Sequence, residues 1–230
     1  MVRGLVCAGL MAATMAAPPA ASLAAGVIAL HAAVLNGATL GSAFYIAPGV
    51  AVTNAHVVRG LQPGDAVTLR AASGARAVAT LIGVSARIDL AVLRGPAGFL
   101  PPAPGVDVAP RVGDMISAAG IRLRTGAEQV ASVEAGGAVT DPAATLPRFG
   151  PGLIAAAPGV GPGFSGGPVI DGDGRLVGMV AALRGGGRVS PAAGSAFAPL
   201  RRAPAGVEAF VLRAGVVRAE ALRLLRAAGG

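Results

Sequence analysis

The chain has 230 residues, 53% of them hydrophobic and 13% charged, with 36 Gly, 18 Pro, one Cys, two His and no Trp. That length suits one large domain or two small ones. A lone Cys7 excludes an intramolecular disulfide framework and a thiolate-rich zinc module, and with only His31 and His56 a multi-histidine metal centre is not expected. The net charge of +8 comes from scattered Arg without any Lys, and one Tyr with no Trp leaves few rings for base stacking. Nucleic acid is therefore not an expected partner.

Residues 1–24 have the three parts of a secretory signal: Arg3, an apolar stretch from Leu5 to Ala17, and small residues ending Ser22-Leu23-Ala24. Cleavage near Ala24 would discard Cys7 and leave a secreted or periplasmic chain; Pro18 and Pro19 interrupt the longest apolar run, so no stable membrane span is expected after cleavage. Short apolar runs punctuated by Gly and Pro follow. Strands are expected at Val27–Leu30, Ser42–Ile46, Val50–Thr53, Ala66–Arg70, Ala77–Val84, Leu90–Arg94, Met115–Ala119, Gln129–Val133, Gly167–Ile170, Leu176–Ala182 and Ala196–Ala198. With turns at Pro48-Gly49, Pro63-Gly64 and Asp173-Gly174, they favour an all-β barrel or sandwich. The Pro-rich stretch Gly95–Pro110 reads as a linker between an N-terminal half, 25–110, and a C-terminal half, 111–200. From 201 to 230 a helical tail is expected: Val207, Phe210, Val211 and Ala214 recur at helical spacing, Gly215 can end that segment, and Ala219–Arg226 resumes the pattern.

The sharpest local signal is Gly163-Phe164-Ser165-Gly166-Gly167-Pro168. Glycines on both sides of a serine permit a tight turn that aims two N–H groups at one point, as an oxyanion hole requires. The same letters fit the nucleophile elbow of α/β-hydrolases, so chain order must discriminate. An α/β-hydrolase places its His after the Ser, whereas both histidines here precede Ser165. The subtilisin order needs an acid before the His, and the first acidic residue is Asp65, after His56. Of these three orders only His…Asp…Ser remains. His56 ends a strand pattern in Val52–Val58, whereas His31 lacks comparable context and reads as structural. The acids between His56 and Ser165 are Asp65, Asp89, Asp107, Asp114, Glu128, Glu134 and Asp141. Asp89 stands apart because it opens the apolar run Leu90-Ala91-Val92-Leu93, where a carboxylate would be partly desolvated unless it accepts a hydrogen bond from something like an imidazole N–H.

These residues resemble the chymotrypsin-like (trypsin-like) serine peptidases, and within them the HtrA/DegP-type branch. Gly41–Ile46 with Thr53–Val58 is similar to that family's histidine segment, Asp89–Leu93 to its aspartate segment and Pro162–Pro168 to its serine segment. Val112-Gly113-Asp114 with Gly120 resembles the start of its second barrel, and Gly194–Pro199 the strand that helps wall its specificity pocket. The resemblance implies two six-stranded antiparallel β-barrels with a C-terminal helix, no cofactor, no metal, and a serine endopeptidase acting on protein or peptide substrates. Ser165 would attack, His56 shuttle the proton and Asp89 hold the imidazole tautomer, with the N–H groups of Gly163 and Ser165 binding the oxyanion. Gly159, Val160, Val180, Ala181, Ala182, Ser195 and Ala196 would line the primary pocket; lacking a carboxylate, it would favour small or apolar P1 residues. The chain departs from the pattern at Phe164, where the digestive relatives carry Asp and the HtrA type usually Asn, so a bulky ring must find room beside the turn. It also stops where the HtrA type would begin a PDZ domain. The competing reading is an inactive relative that binds peptides or serves as a scaffold.

Overall fold

Continuous buried runs in most of the first half, and alternation of buried and exposed residues at 66–71 and 76–81, build its strands. In the computed structural model, which describes residues 26–37, 39–105, 109–123, 130–185, 188–191, 194–195 and 208–229, these strands curl into a closed ring. The strands are β1 (His31–Asn36), β2 (Thr39–Ala47), β3 (Val50–Thr53), β4 (Ala66–Ala71), β5 (Arg76–Val84) and β6 (Ala91–Arg94). Their order is β1-β4-β5-β6-β3-β2, and β2 pairs back onto β1 with His31 opposite Phe44. Closure leaves no free edge in the ring. Val67, Leu69, Ala79 and Leu81 point inward and meet Tyr45, Val57 and Leu93 in the barrel's own core.

The second half repeats the plan with β7 (Met115–Leu123), β8 (Val130–Asp141), β9 (Thr145–Leu146), β10 (Gly150–Ala156), β11 (Pro168–Asp171), β12 (Leu176–Gly185), β13 (Arg188–Pro191), β14 (Gly194–Ser195) and β15 (Glu208–Arg213). Six of these, in the order β11-β7-β8-β10-β15-β12, form a second ring that β11 closes by pairing with β12. The short β9 pairs with β10, and β13 extends the sheet beyond β12. A shared apolar cluster welds the rings: Phe44, Val52 and Val92 from the first meet Ile154, Met179 and Phe210 from the second. The Pro-rich segment after β6 crosses between them, and Ala103 N–H donates to the Tyr45 carbonyl at 2.7 Å.

The elements differ from those expected at both ends of the described chain. Val27–Leu30 is not a strand: residues 26–29 are helical, which puts Val27 and Leu30 on one face and buries both in the shared cluster. The first strand is His31–Asn36. The tail expected over 201–230 likewise misassigns Phe210 and Val211, which lie in β15, paired with β10 on one edge and β12 on the other. Two partner strands outweigh helical spacing in a run of six residues whose middle four are all buried. Gly215 does not end a helix but lies in the first turn of α1 (Ala214–Gly229). Ala214, Val217, Ala221 and Leu224 form the helix's buried face, which packs against β5, β6, β12 and β15. Residues 1–24, with the expected signal, and the strand expected at Ala196–Ala198 lie outside the described residues. Among the described residues no helix is long and apolar enough to cross a membrane.

Candidate active site

Strand β3 delivers His56 to the junction of the barrels. After Thr53 the chain passes through Asn54 in extended conformation (φ −78°, ψ 149°) into a 3-10 turn over Ala55–Val58. Val57 and Val58 are buried in the first barrel's core and anchor that turn. Asp89 arrives from the bend before β6, whose run Leu90–Leu93 is wholly buried and fixes the position of the carboxylate. Its Oδ2 lies 2.6 Å from His56 Nδ1, and its Oδ1 accepts the His56 backbone N–H at 3.1 Å. A carboxylate has only lone pairs to offer, so Nδ1 carries the proton of the neutral ring and Nε2 is bare. Ser165 Oγ stands 2.8 Å from that Nε2, where the hydroxyl donates. Ser165 is fully buried, and the His56 and Asp89 side chains are only 8% and 9% exposed. Little water competes for these bonds, which strengthens each of them.

Close approach explains the glycines around Ser165. Gly163 and Gly166 have φ of +96° and +84°, the left-handed region that a side chain disfavours. A Cβ at Gly166 would overlap the Ser42 carbonyl oxygen, and one at Gly167 the Ala119 carbonyl oxygen. The loop is tied to β12 by Gly166 N–H to the Val180 carbonyl (2.8 Å) and Val180 N–H to the Gly167 carbonyl (2.9 Å). It is tied to the first barrel by Ser42 N–H to the Ser165 carbonyl at 2.7 Å. Among the described residues, no protein group accepts the N–H of Gly163 or of Ser165. Two unengaged donors beside the serine can receive an oxygen that develops negative charge.

Phe164 finds its room inside the second barrel. The ring is fully buried in that barrel's core, over Gly120, where a Cβ would overlap Phe164 Cγ. Burial of such a ring contributes roughly 2–3 kcal/mol. The Arg122 guanidinium lies 5.9 Å from the ring centroid and donates to the Gly159 carbonyl.

The residues expected to line the primary pocket are mostly buried. Val160 and Val180 are buried in the second barrel's core, Ala181 and Ala182 in the shared cluster, and Gly159 is partly exposed. Ala181 comes closest to the chemistry, its carbonyl 3.4 Å from Ser165 Oγ. Ser195 lies in β14. Its backbone pairs across the junction with Thr39 of β2, while Ala182 lies between Phe210 of β15 on one edge and Pro191 of β13 on the other. Ala196 lies outside the described residues. A cavity of about 480 Å³ flanks the site, with His56, Asp89, Arg59, Arg148 and Phe149 among its lining residues.

Three supporting residues escape sequence reasoning. Asn54 Nδ2 donates to the Asp89 backbone carbonyl at 2.7 Å, holding the aspartate from behind. Ser42, inside a segment already singled out, grips the serine loop. His31, read as structural, is fully buried within hydrogen-bond distance of Ser42 and Ser132. The one sequence signal for it is a polar ring inside an otherwise apolar run.

Residues 41–179 match the model of the trypsin-like peptidase domain. No curated protein matches the chain. Among solved structures, Rv3671c from M. tuberculosis H37Rv, a serine-to-alanine mutant in its inactive form, is similar with TM-score 0.67 and 22% identity, over 93% of this chain and 97% of that one. The HtrA-type protease AlgW with tripeptide is similar with TM-score 0.68 and 23% identity, over 88% of this chain. This chain spans 62% of the length of the AlgW chain.

Proposed function

The chain belongs to the trypsin-like peptidases and is a serine-type endopeptidase, and from that premise we propose that Ser165, His56 and Asp89 cleave peptide bonds through an acyl-enzyme. The observation that carries this reading is the unbroken line Asp89 Oδ2, His56 Nδ1, His56 Nε2, Ser165 Oγ, with links of 2.6 and 2.8 Å. Ser165 Oγ attacks the scissile carbonyl carbon while its proton passes to His56 Nε2. Asp89 stabilises the imidazolium that results. The carbonyl oxygen, now anionic, is held by the N–H groups of Gly163 and Ser165, each worth about 100- to 1,000-fold in rate. The C–N bond then breaks, His56 returns the proton to the leaving amine, and water attacks the ester by the same steps.

Small or apolar P1 side chains fit this reading, since neither 159–161 nor 180–182 supplies a carboxylate to pair a buried Lys or Arg. The first 24 residues would direct export, with cleavage near Ala24; N-terminal sequencing of the secreted protein checks that step. A diphenyl phosphonate bearing a Val-like side chain tests the chemistry. It is expected to label the folded protein and not Ser165→Ala; no labelling of the folded wild-type chain would overturn the nucleophile. Equal cleavage of Lys/Arg and Ala/Val reporter peptides would overturn the P1 preference.

A further inference from the structure

His31 is a fully buried imidazole that the hydrolytic steps leave unused. It opens β1, and its two ring nitrogens meet the two barrels. Nε2 lies 2.8 Å from Ser42 Oγ on β2, and Nδ1 lies 3.0 Å from Ser132 Oγ on β8. Ser42 Oγ in turn donates to the Gly163 carbonyl at 2.8 Å. A hydroxyl has one proton, and Ser42 uses it on that carbonyl. Toward His31 it must therefore accept, which places the ring proton on Nε2 and leaves Nδ1 to accept from Ser132. Burial pushes the imidazole down to about 3, so the ring is neutral across the pH range of ordinary work and one tautomer persists. The chain of donation runs in one direction, from Ser132 through His31 and Ser42 to Gly163.

The far end of that chain matters because Gly163 has no side chain to confine its backbone. At φ +96° a glycine has neighbouring conformations open to it, and rotation there would turn its N–H away from the bound oxygen. Two contacts restrain the residue's carbonyl: Ile121 N–H at 3.2 Å, and the shorter bond from Ser42 Oγ. Ser42 is itself held, its carbonyl accepting Thr53 Oγ1 at 2.7 Å and its N–H donating to the Ser165 carbonyl at 2.7 Å. His31 decides where the Ser42 hydroxyl proton points, since an Nε2–H donor leaves that hydroxyl only one useful direction.

We propose that His31 is a positioning residue for the oxyanion hole: through Ser42 it holds the Gly163 carbonyl, and with it the Cα about which the Gly163 N–H pivots, so that fewer backbone rotations can turn that N–H from the developing oxyanion. The role rests on the proposed nucleophile and oxyanion donors. The test follows phosphonate labelling of the full chain, reading the maximal rate constant, the half-saturating probe concentration and the labelled end-point separately. His31→Leu is expected to lower the maximal rate constant about tenfold, a fraction of what losing a whole donor costs, with the other two readings unchanged. His31→Gln, which restores an N–H donor, is expected to recover most of that loss. Ser42→Ala should match His31→Leu, and the double variant should be no slower than either alone, since both cut one chain.

A merely structural role would lower the labelled end-point and the melting temperature while sparing the rate constant of the folded fraction, and that result overturns the proposal. So does a His31→Leu rate equal to wild type. If His31→Leu does not fold, Ser42→Ala with an unchanged rate overturns it equally. No labelling of the folded wild-type chain defeats the nucleophile and this role together, whereas a labelled wild type with an indifferent His31→Leu defeats this role alone.

Discussion

His56 and His31 sit on neighbouring parts of the first barrel, both nearly sealed from water, with hydrogen bonds to both ring nitrogens. They differ in what faces Nδ1. At His56 it is the Asp89 carboxylate, which gives a positive ring a partner and leaves Nε2 free to take the Ser165 proton. At His31 it is the Ser132 hydroxyl, which offers no countercharge, so burial keeps the ring neutral and its pKa falls to about 3. One carboxylate separates an imidazole that can gain a proton during turnover from one that only passes on an orientation.

Replacing the carboxylate tests this contrast most severely. Asp89→Asn puts an amide against Nδ1, and the amide N–H favours the opposite tautomer, with the proton on Nε2 against Ser165. Turnover of a reporter peptide is expected to fall about 10,000-fold, with the fold intact by circular dichroism. A loss of less than about tenfold would mean that the Asp89 carboxylate is not what sets His56 apart.

The pH dependence of stability comes next. An unfolded chain protonates His31 near 6.5, whereas the folded chain resists until about 3. The folded state therefore binds fewer protons in that window. Its advantage from a neutral His31 is whole above 6.5 and is lost as pH falls towards 3, by roughly 1.4 kcal/mol per pH unit. Urea unfolding at pH 7, 5.5 and 4.5 is expected to show a loss of stability that is steeper in the wild type than in His31→Leu by about this amount. Parallel curves would mean that His31 does not stay neutral.

The smallest effect comes from disturbing the serine loop without touching either histidine. Gly120→Ala forces the Phe164 ring to shift and is expected to cost about 1–3 kcal/mol by thermal melting, with a drop in labelling rate and an unchanged acid slope. A melting temperature equal to wild type would show that the core beneath Phe164 yields easily.

Local chemistry made much of this architecture legible. The runs at Val50–Thr53, Ala66–Arg70, Ala77–Val84 and Leu176–Ala182 all fall within strands, because alternation or continuous burial leaves its mark on a short segment. β10 carries Gly150, Pro151 and Gly152 among its first residues and shows little strand character. Its place depends on β8 and β15, supplied from either side. β15 presents the same difficulty, since Phe210 and Val211 suit a helix face as well as a strand buried on both sides.

By itself the sequence determined the order of histidine, aspartate and serine, the glycines that let a serine loop turn tightly, and the apolar setting of Asp89. Those are properties of short segments, and short segments carry their own chemistry. The tertiary structure alone decided that Phe164 enters the second barrel's core, that Ser195 pairs with Thr39, and that His31 bridges Ser42 and Ser132. Ser42 lies 11 residues from His31 and Ser132 lies 101, so a hydrogen-bonded chain between them exists only once two barrels close against each other.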